Sequence, residues 1–214
     1  MTGRSTADVP RLHVDGARDE EPIGPDRLNA FSDGVFAVII TILVLELRPP
    51  KEASFAALLE LWPTGVSYAI SYLFIAIAWV NHHHLLRFAE VATHRLIWGN
   101  FAHLFSVSLM PFSTAWVAGT RLGAVPVAFY AGVFVLVNAT YLLLYAEAVD
   151  RSAPQKITPR ARSMMRMRSL VTLAIFAAAA IVALRYPIGG MAMICLCLIL
   201  YLSRGAPGTT RELK

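Results

Sequence analysis

The residues best suited to chemistry in this sequence are Asn29, Ser32 and Asp33, at the start of a long hydrophobic segment. From Gly34 to Leu45 the chain is apolar apart from Thr41. An ionisable side chain inside a membrane span costs free energy, so it usually marks an ion pathway or a paired site. The first helix is therefore the leading candidate for the functional element.

A second group of polar side chains, His82, His83 and His84, follows the second hydrophobic segment. Adjacent residues of a helix point in different directions, whereas helical metal sites favour histidines three or four residues apart. No two histidines in the sequence have that spacing. We therefore predict no metal site, and expect these imidazoles to cap the helix end and to bond Asp33.

Asp33 needs hydrogen-bond donors, and imidazole, an Asn amide such as that of Asn81, or Arg27 could supply them. Two roles remain open for it. One is a structural cluster that locks the first helix to its bundle; the other is a titrating or ion-binding site. Asn100, His103 and Ser106, spaced three residues apart, could likewise join helices or line a wet cavity.

The composition excludes an ordinary soluble domain, because 57% of residues are hydrophobic, only 15% are charged and the mean hydropathy is +0.57. About 20 apolar residues cross a bilayer. The sequence predicts an all-α bundle of six transmembrane helices, at Ala30–Leu47, Leu61–Asn81, Ile97–Val117, Val125–Ala146, Ser169–Leu184 and Ile188–Leu202. Pro187 and the pair Gly189-Gly190 predict a tight turn between the last two.

Domain organisation is predicted to be simple. Residues 1–26 are polar and read as a disordered cytoplasmic tail, residues 27–203 form the membrane domain, and residues 204–214 form a second cytoplasmic tail. Of the 19 lysines and arginines, only Arg48, Lys51, Arg121 and Arg185 fall on the side opposite the termini. Basic residues are retained in the cytoplasm, so both termini are predicted to be inside. The same bias explains the basic pI without a nucleic-acid partner.

Helical periodicity sorts the first span into two faces. At 100° per residue, one stripe contains Phe31, Gly34, Val38, Thr41, Ile42 and Leu45. Asn29, Asp33, Phe36 and Ile40 gather on the opposite side. We predict that the face with the acid anchors the helix and that the other face is free to line something.

The string Arg27-x-x-x-Phe31-Ser32-Asp33, followed by Gly34-Val35-Phe36-Ala37, resembles the signature of the transmembrane protein 175 family of potassium channels. Trp79-x-Asn81-His82-His83 resembles that family's second-helix pattern. The resemblance implies a homotetramer whose first helices line a pore. By position it implies a hydrophobic constriction at Val38, Ile42 and Leu45, with Thr41 as a polar layer, in place of a carbonyl filter.

These observations together predict a potassium-permeable cation channel of the plasma membrane rather than an enzyme. Its partners would be the lipid bilayer and further copies of itself, with no cofactor beyond the permeant potassium ion and no small-molecule substrate. The alternative is a small proton-coupled transporter that uses Asp33 and the cluster His82–His84. Carriers commonly contain repeated halves with interrupted helices, and the sequence has no second Phe-Ser-Asp copy.

Overall fold

The computed structural model describes residues 24–151 and 157–203, and within these ranges the chain is helical without strands, which confirms the predicted all-α class. The helices are α1 (Pro25–Leu45), α2 (Phe55–Leu59), α3 (Trp62–Leu86), α4 (His94–Ser108), α5 (Met110–Gly119), α6 (Ala124–Tyr145), α7 (Pro159–Ala183) and α8 (Pro187–Ser203). A π-helical segment, Ala146–Arg151, continues α6. Both predicted tails lie almost wholly outside the described residues.

Five helical segments within the described ranges are long and apolar enough to cross a membrane. They are α1, α3, α4 with α5, α6 with its π-helical extension, and α7; α8 is apolar but shorter. Each of the six hydrophobic segments found in the sequence lies in one of these elements, apart from one or two residues at an end of three of them. A multi-pass membrane protein follows, while a sixth crossing by α8 stays a prediction.

Helix starts follow local sequence signals. Thr93 and Thr158 cap α4 and α7 by accepting hydrogen bonds from the backbone N–H groups of Leu96 and Ala161, at 3.1 and 3.3 Å. The division between α4 and α5 falls just before Pro111, whose ring nitrogen cannot donate the hydrogen bond that a continuous helix requires.

Three boundaries differ from those expected. The second span does not stop at Asn81, because α3 continues to Leu86 and includes all three histidines; they do not cap its end. Residues 159–168 are helical and belong to α7 instead of preceding it. The short helix α2, capped by Ser54, was not anticipated.

The α7–α8 hairpin also turns differently from the prediction. The turn is Leu184–Tyr186, and Gly189 and Gly190 lie inside α8. A Cβ atom on Gly190 would stand 2.7 Å from the Cβ of Ala183 and 2.9 Å from the carbonyl oxygen of Ala179. Gly190 therefore serves the close approach of α8 to α7, not the turn.

An aromatic cluster forms the centre of the bundle. Phe74 of α3 stacks on Phe134 of α6 with ring centroids 3.9 Å apart, and Phe176 of α7 meets Phe134 edge-on at 5.0 Å. The rings of this cluster are buried, and in a bilayer they join the helices by close van der Waals packing rather than by removal from water. The core thus joins α3, α6 and α7.

One end of the bundle, here called the terminal end, gathers the start of α1 and the ends of α3 and α8. Asn29 lies 3.2 Å from His83, and the Tyr201 hydroxyl donates to Asn81 at 2.8 Å. This end corresponds to the side predicted to hold most of the basic residues.

Candidate functional site

The two faces of α1 differ in burial as the helical periodicity predicts. Phe36, Ile39 and Leu43 are buried against the bundle. Val38, Ile42 and Leu45 are 55%, 42% and 78% exposed, and Thr41 is exposed beside them. The subunit therefore presents a mostly apolar stripe along α1 that no other described part of the chain covers. This stripe, made of Phe31, Gly34, Val38, Thr41, Ile42 and Leu45, is called the α1 stripe below.

The polar member of the α1 stripe has a defined hydrogen bond. The Thr41 hydroxyl donates to the backbone carbonyl of Val38 at 2.7 Å. A hydroxyl has one proton to donate and two acceptor lone pairs. With its proton directed to its own helix, Thr41 offers acceptor oxygen, the kind of ligand that a cation requires.

Asp33 lies at the edge of the bundle face and is held by three neighbours. The Trp79 indole N–H donates to Oδ1 at 2.7 Å, and the Asn29 amide donates to Oδ2 at 3.4 Å. His83 Nδ1 is 3.9 Å from Oδ2. Of the expected donors, one imidazole, that of His83, lies near this carboxylate, but the amide that bonds it belongs to Asn29 and not to Asn81. The shortest bond, however, comes from an indole that was not considered, and Arg27 forms no ion pair with Asp33 in the described structure.

A second polar cluster is fully buried one helix face away. Ser32 of α1 accepts from the Asn100 amide at 2.9 Å, and the Asn100 carbonyl oxygen is 2.6 Å from His82 Nε2. His103 continues the chain of polar contacts, with Nδ1 3.1 Å from the Thr140 hydroxyl. Its ring is parallel to that of His82, with centroids 5.6 Å apart. This cluster, called the buried polar cluster, joins α1, α3, α4 and α6.

The signature residues consequently separate into different environments. Ser32 and His82 belong to the buried polar cluster, whereas Asp33, Trp79 and His83 form the half-exposed cluster at the terminal end. Phe31 lies on the α1 stripe and packs edge-on against Phe101 at 5.6 Å. Asn81 pairs with Tyr201 of α8 instead of Asp33. Arg27 is exposed.

Four important partners lie outside the predicted site. Asn100 and His103 were noted as a polar stripe, and both prove to be buried interhelical contacts. Thr140 of α6, the partner of His103, was not among the predicted site residues. Tyr201 gave no signal, because an aromatic residue near the end of a span is common at membrane interfaces.

The three histidines point in different directions, as adjacent helical positions require. His82 contacts Asn100, His83 contacts Asn29 and Asp33, and His84 meets only the ring of His83. Among the described residues, no three His, Cys, Asp or Glu side chains come together in an arrangement that could hold a metal ion.

Comparison with known families supports the resemblance found at the signature residues of α1 and α3. Residues 27–111 match the family model described as endosomal/lysosomal potassium channel TMEM175. A potassium channel of Chryseobacterium sp. (strain P1-3) is 40% identical over 118 residues, which are 55% of this chain and 62% of that protein. A potassium channel of Chamaesiphon minutus is 34% identical over 141 residues, which are 61% of this chain and 70% of that protein.

Shorter matches extend to vertebrates. The human protein, named an endosomal/lysosomal proton channel, is 30% identical over 105 residues; these cover 44% of this chain and 21% of the human one. The names of the relatives therefore differ in the permeant ion.

The fold has a counterpart among solved structures. The crystal structure of a lysosomal potassium-selective channel TMEM175 homolog from Chamaesiphon minutus superposes with a TM-score of 0.74 at 26% identity, covering 84% of this chain and 97% of that one. The chain matches the family model at its signature, covers 70% of the Chamaesiphon minutus potassium channel at 34% identity, and shares the fold of a solved homologue. This chain therefore belongs to the transmembrane protein 175 family of ion channels.

Proposed function

We propose that the chain is one subunit of a tetrameric, potassium-permeable cation channel whose pore is lined by α1. The observation that carries the proposal is the α1 stripe, an exposed apolar face on a helix whose opposite face is fastened by buried packing and polar contacts. In a bilayer, a free apolar face can simply meet lipid. The names of the bacterial relatives, which are potassium channels, favour a pore instead.

Within such a tetramer, Val38, Ile42 and Leu45 would each form a ring of four apolar side chains. Rings of this kind gate by excluding water. Thr41 would add a ring of hydroxyl oxygens between them, and because each hydroxyl proton is donated to Val38, these oxygens would act as acceptors. No bound cofactor enters this mechanism; the potassium ion itself is the permeating species.

The alternative, a proton-coupled transporter built on Asp33 and His82–His84, has less support. Its four residues do not form one site, because Asp33 bonds Trp79 while His82 faces Asn100. The proton-channel name of vertebrate relatives nevertheless makes proton permeation a necessary measurement.

Recording from the purified protein in planar bilayers tests the proposal. We expect discrete current steps, and reversal potentials under potassium, sodium and proton gradients that follow the potassium gradient most closely. Saturable flux without steps would identify a carrier. Currents that follow only the proton gradient would contradict a potassium pore. The native mass of the complex in mild detergent measures the number of subunits, for which we expect four.

Location in the plasma membrane with both termini cytoplasmic forms part of the proposal. A Ser5→Cys variant should react with a membrane-impermeant thiol reagent only after the cells are opened. The natural Cys195 and Cys197 lie in α8, so a cysteine-free background is the control. Labelling of Ser5→Cys in intact cells would reverse the orientation.

A further inference from the structure

A cavity away from the α1 stripe lies among α3, α6, α7 and α8 at the terminal end. Its volume is about 100 Å³. For comparison, an engineered apolar cavity of about 150 Å³ in another protein binds benzene. The space between these four helices is therefore large enough for several carbon atoms of a ligand.

The lining of this cavity changes from polar to apolar along the bundle axis. Arg168, Asn81 and Tyr201 lie at the terminal end, near the start of α7 and the ends of α3 and α8. Phe74 and Phe176, of the aromatic core, line the part toward the middle of the bundle. The order of polar and apolar groups matches that of a lipid, with its headgroup at the surface and its chain inward.

One buried atom indicates that the polar part of the cavity is occupied. His103 lines the cavity, its side chain is buried, and its Nδ1 is engaged by Thr140. Its Nε2 has no hydrogen-bond partner. Buried polar atoms of this kind are normally satisfied by water or by a ligand.

Arg168 supplies the charge at the mouth of the cavity. Its neighbours on α7, Arg162 and Arg166, both form ion pairs with Asp150. Arg168 has no carboxylate partner within the described ranges and lies over the ring of Tyr201, 5.2 Å from its centroid. It directly precedes the apolar part of α7, at the level where lipid headgroups are found.

We propose that this cavity binds one anionic phospholipid per subunit, with the phosphate on Arg168 and part of an acyl chain against the wall formed by Phe74 and Phe176. Arginine binds phosphate through two parallel hydrogen bonds, and its positive charge favours a headgroup with a net negative charge over a neutral one. The lipid would come from the leaflet at the terminal end, which is the inner leaflet in the predicted orientation. The site is independent of whether the pore conducts potassium.

Native mass spectrometry of the purified full-length protein tests this site with two probes of identical chains, palmitoyl-oleoyl phosphatidylglycerol and palmitoyl-oleoyl phosphatidylcholine. Both lipids carry a phosphate, but the choline cation of the second offsets its charge beside Arg168, so we expect wild type to bind the anionic lipid about tenfold more tightly. Arg168→Gln should abolish that preference. Arg185→Gln is the matched control, because Arg185 also lies over a tyrosine ring, that of Tyr186 at 5.4 Å, at the other end of the bundle.

A second variant tests the acyl part. Thr172 lines the cavity from α7, and within the described part of the chain its hydroxyl bonds only the Arg168 carbonyl of its own helix. Thr172→Phe should fill the space and weaken binding of both lipids severalfold. This variant decides the question even if Arg168→Gln yields no folded protein.

Three results would overturn the proposal. Equal losses of phosphatidylglycerol binding in Arg168→Gln and Arg185→Gln would mean that the lipid responds to general surface charge and not to this cavity. Unchanged binding in Thr172→Phe would place the lipid outside the cavity. Full displacement of the phosphatidylglycerol by inorganic phosphate would mean that the acyl chain contributes nothing, and retention of the lipid in excess phosphate is expected.

Discussion

The two faces of α1 meet different surroundings within a single helix. On one face, Ser32, Phe36 and Leu43 are buried and in contact with neighbouring helices. On the other, Val38, Ile42 and Leu45 remain 42–78% exposed. A side chain on the first face is constrained by folding, whereas one on the second is constrained by what the assembled protein places there. Substitutions on the two faces should therefore fail in different measurements.

The largest effect is expected in the buried polar cluster. Asn100→Leu removes the partner of His82 Nε2 and one of the two partners of Ser32, whose hydroxyl still donates to the Leu28 carbonyl. A buried polar group left unpaired costs about 1–3 kcal/mol. The matched control is Asn138→Leu, because among the described residues the Asn138 amide bonds only the Phe134 carbonyl of its own helix. The yield of monodisperse protein and its thermal midpoint should fall sharply for the first variant and little for the second. Equal losses would show that the cluster does not join the helices energetically.

A smaller loss is expected at Asp33, which is half-exposed in the subunit. Asp33→Ala and Trp79→Phe each remove the same 2.7 Å bond. Their effects on the free energy of unfolding should therefore be non-additive in the double variant, with a coupling of about 1 kcal/mol. Additive effects would mean that the bond contributes no stability. Asp33→Asn should preserve most of it, because an amide oxygen still accepts from the indole.

The sequence predicted the division of α1 into faces because burial follows the helical period. It did not predict which donor reaches Asp33. That depends on how α1 and α3 are aligned along their axes, and three polar side chains within two turns of α3 were possible partners. The alignment places Trp79 and His83, one turn apart, beside the acid, and turns His82 toward Asn100.

Two boundary errors have different causes. The start of α7 at Pro159 was predictable, because a threonine followed by proline is a common helix start. The length of the hydrophobic segment alone instead indicated a start at Ser169. The position of Gly190 inside α8 could not be predicted. A single sequence does not distinguish a glycine required by a turn from a glycine required by a close helix crossing.

The α1 stripe is tested by a pair of polar substitutions on the two opposite faces of α1. Leu45→Asn should wet an apolar ring, raising conductance by roughly threefold or more and weakening the discrimination between potassium and sodium. Ile40 is partly buried against the core, so Ile40→Asn should lower the amount of folded protein and leave the remaining channels nearly normal. Currents and reversal potentials of the two variants should be measured side by side. Equal changes in permeation would mean that the α1 stripe does not face the pore.

The smallest effect should come from Thr41, the one hydroxyl within the α1 stripe. Thr41→Val keeps the shape of the side chain and removes the oxygen, whereas Thr41→Ser keeps the oxygen and removes a methyl group. Because the existing hydroxyl donates to Val38 at 2.7 Å, its loss leaves no buried donor unpaired and should not alter folding. If the oxygens help to replace water around a passing cation, Thr41→Val should lower the potassium-to-sodium permeability ratio by about two- to threefold, equivalent to ~0.5 kcal/mol. Thr41→Ser should stay near the wild-type ratio. A loss of selectivity in the serine variant, or none in the valine variant, would show that the radius of the apolar rings and not the hydroxyl layer sets ion preference.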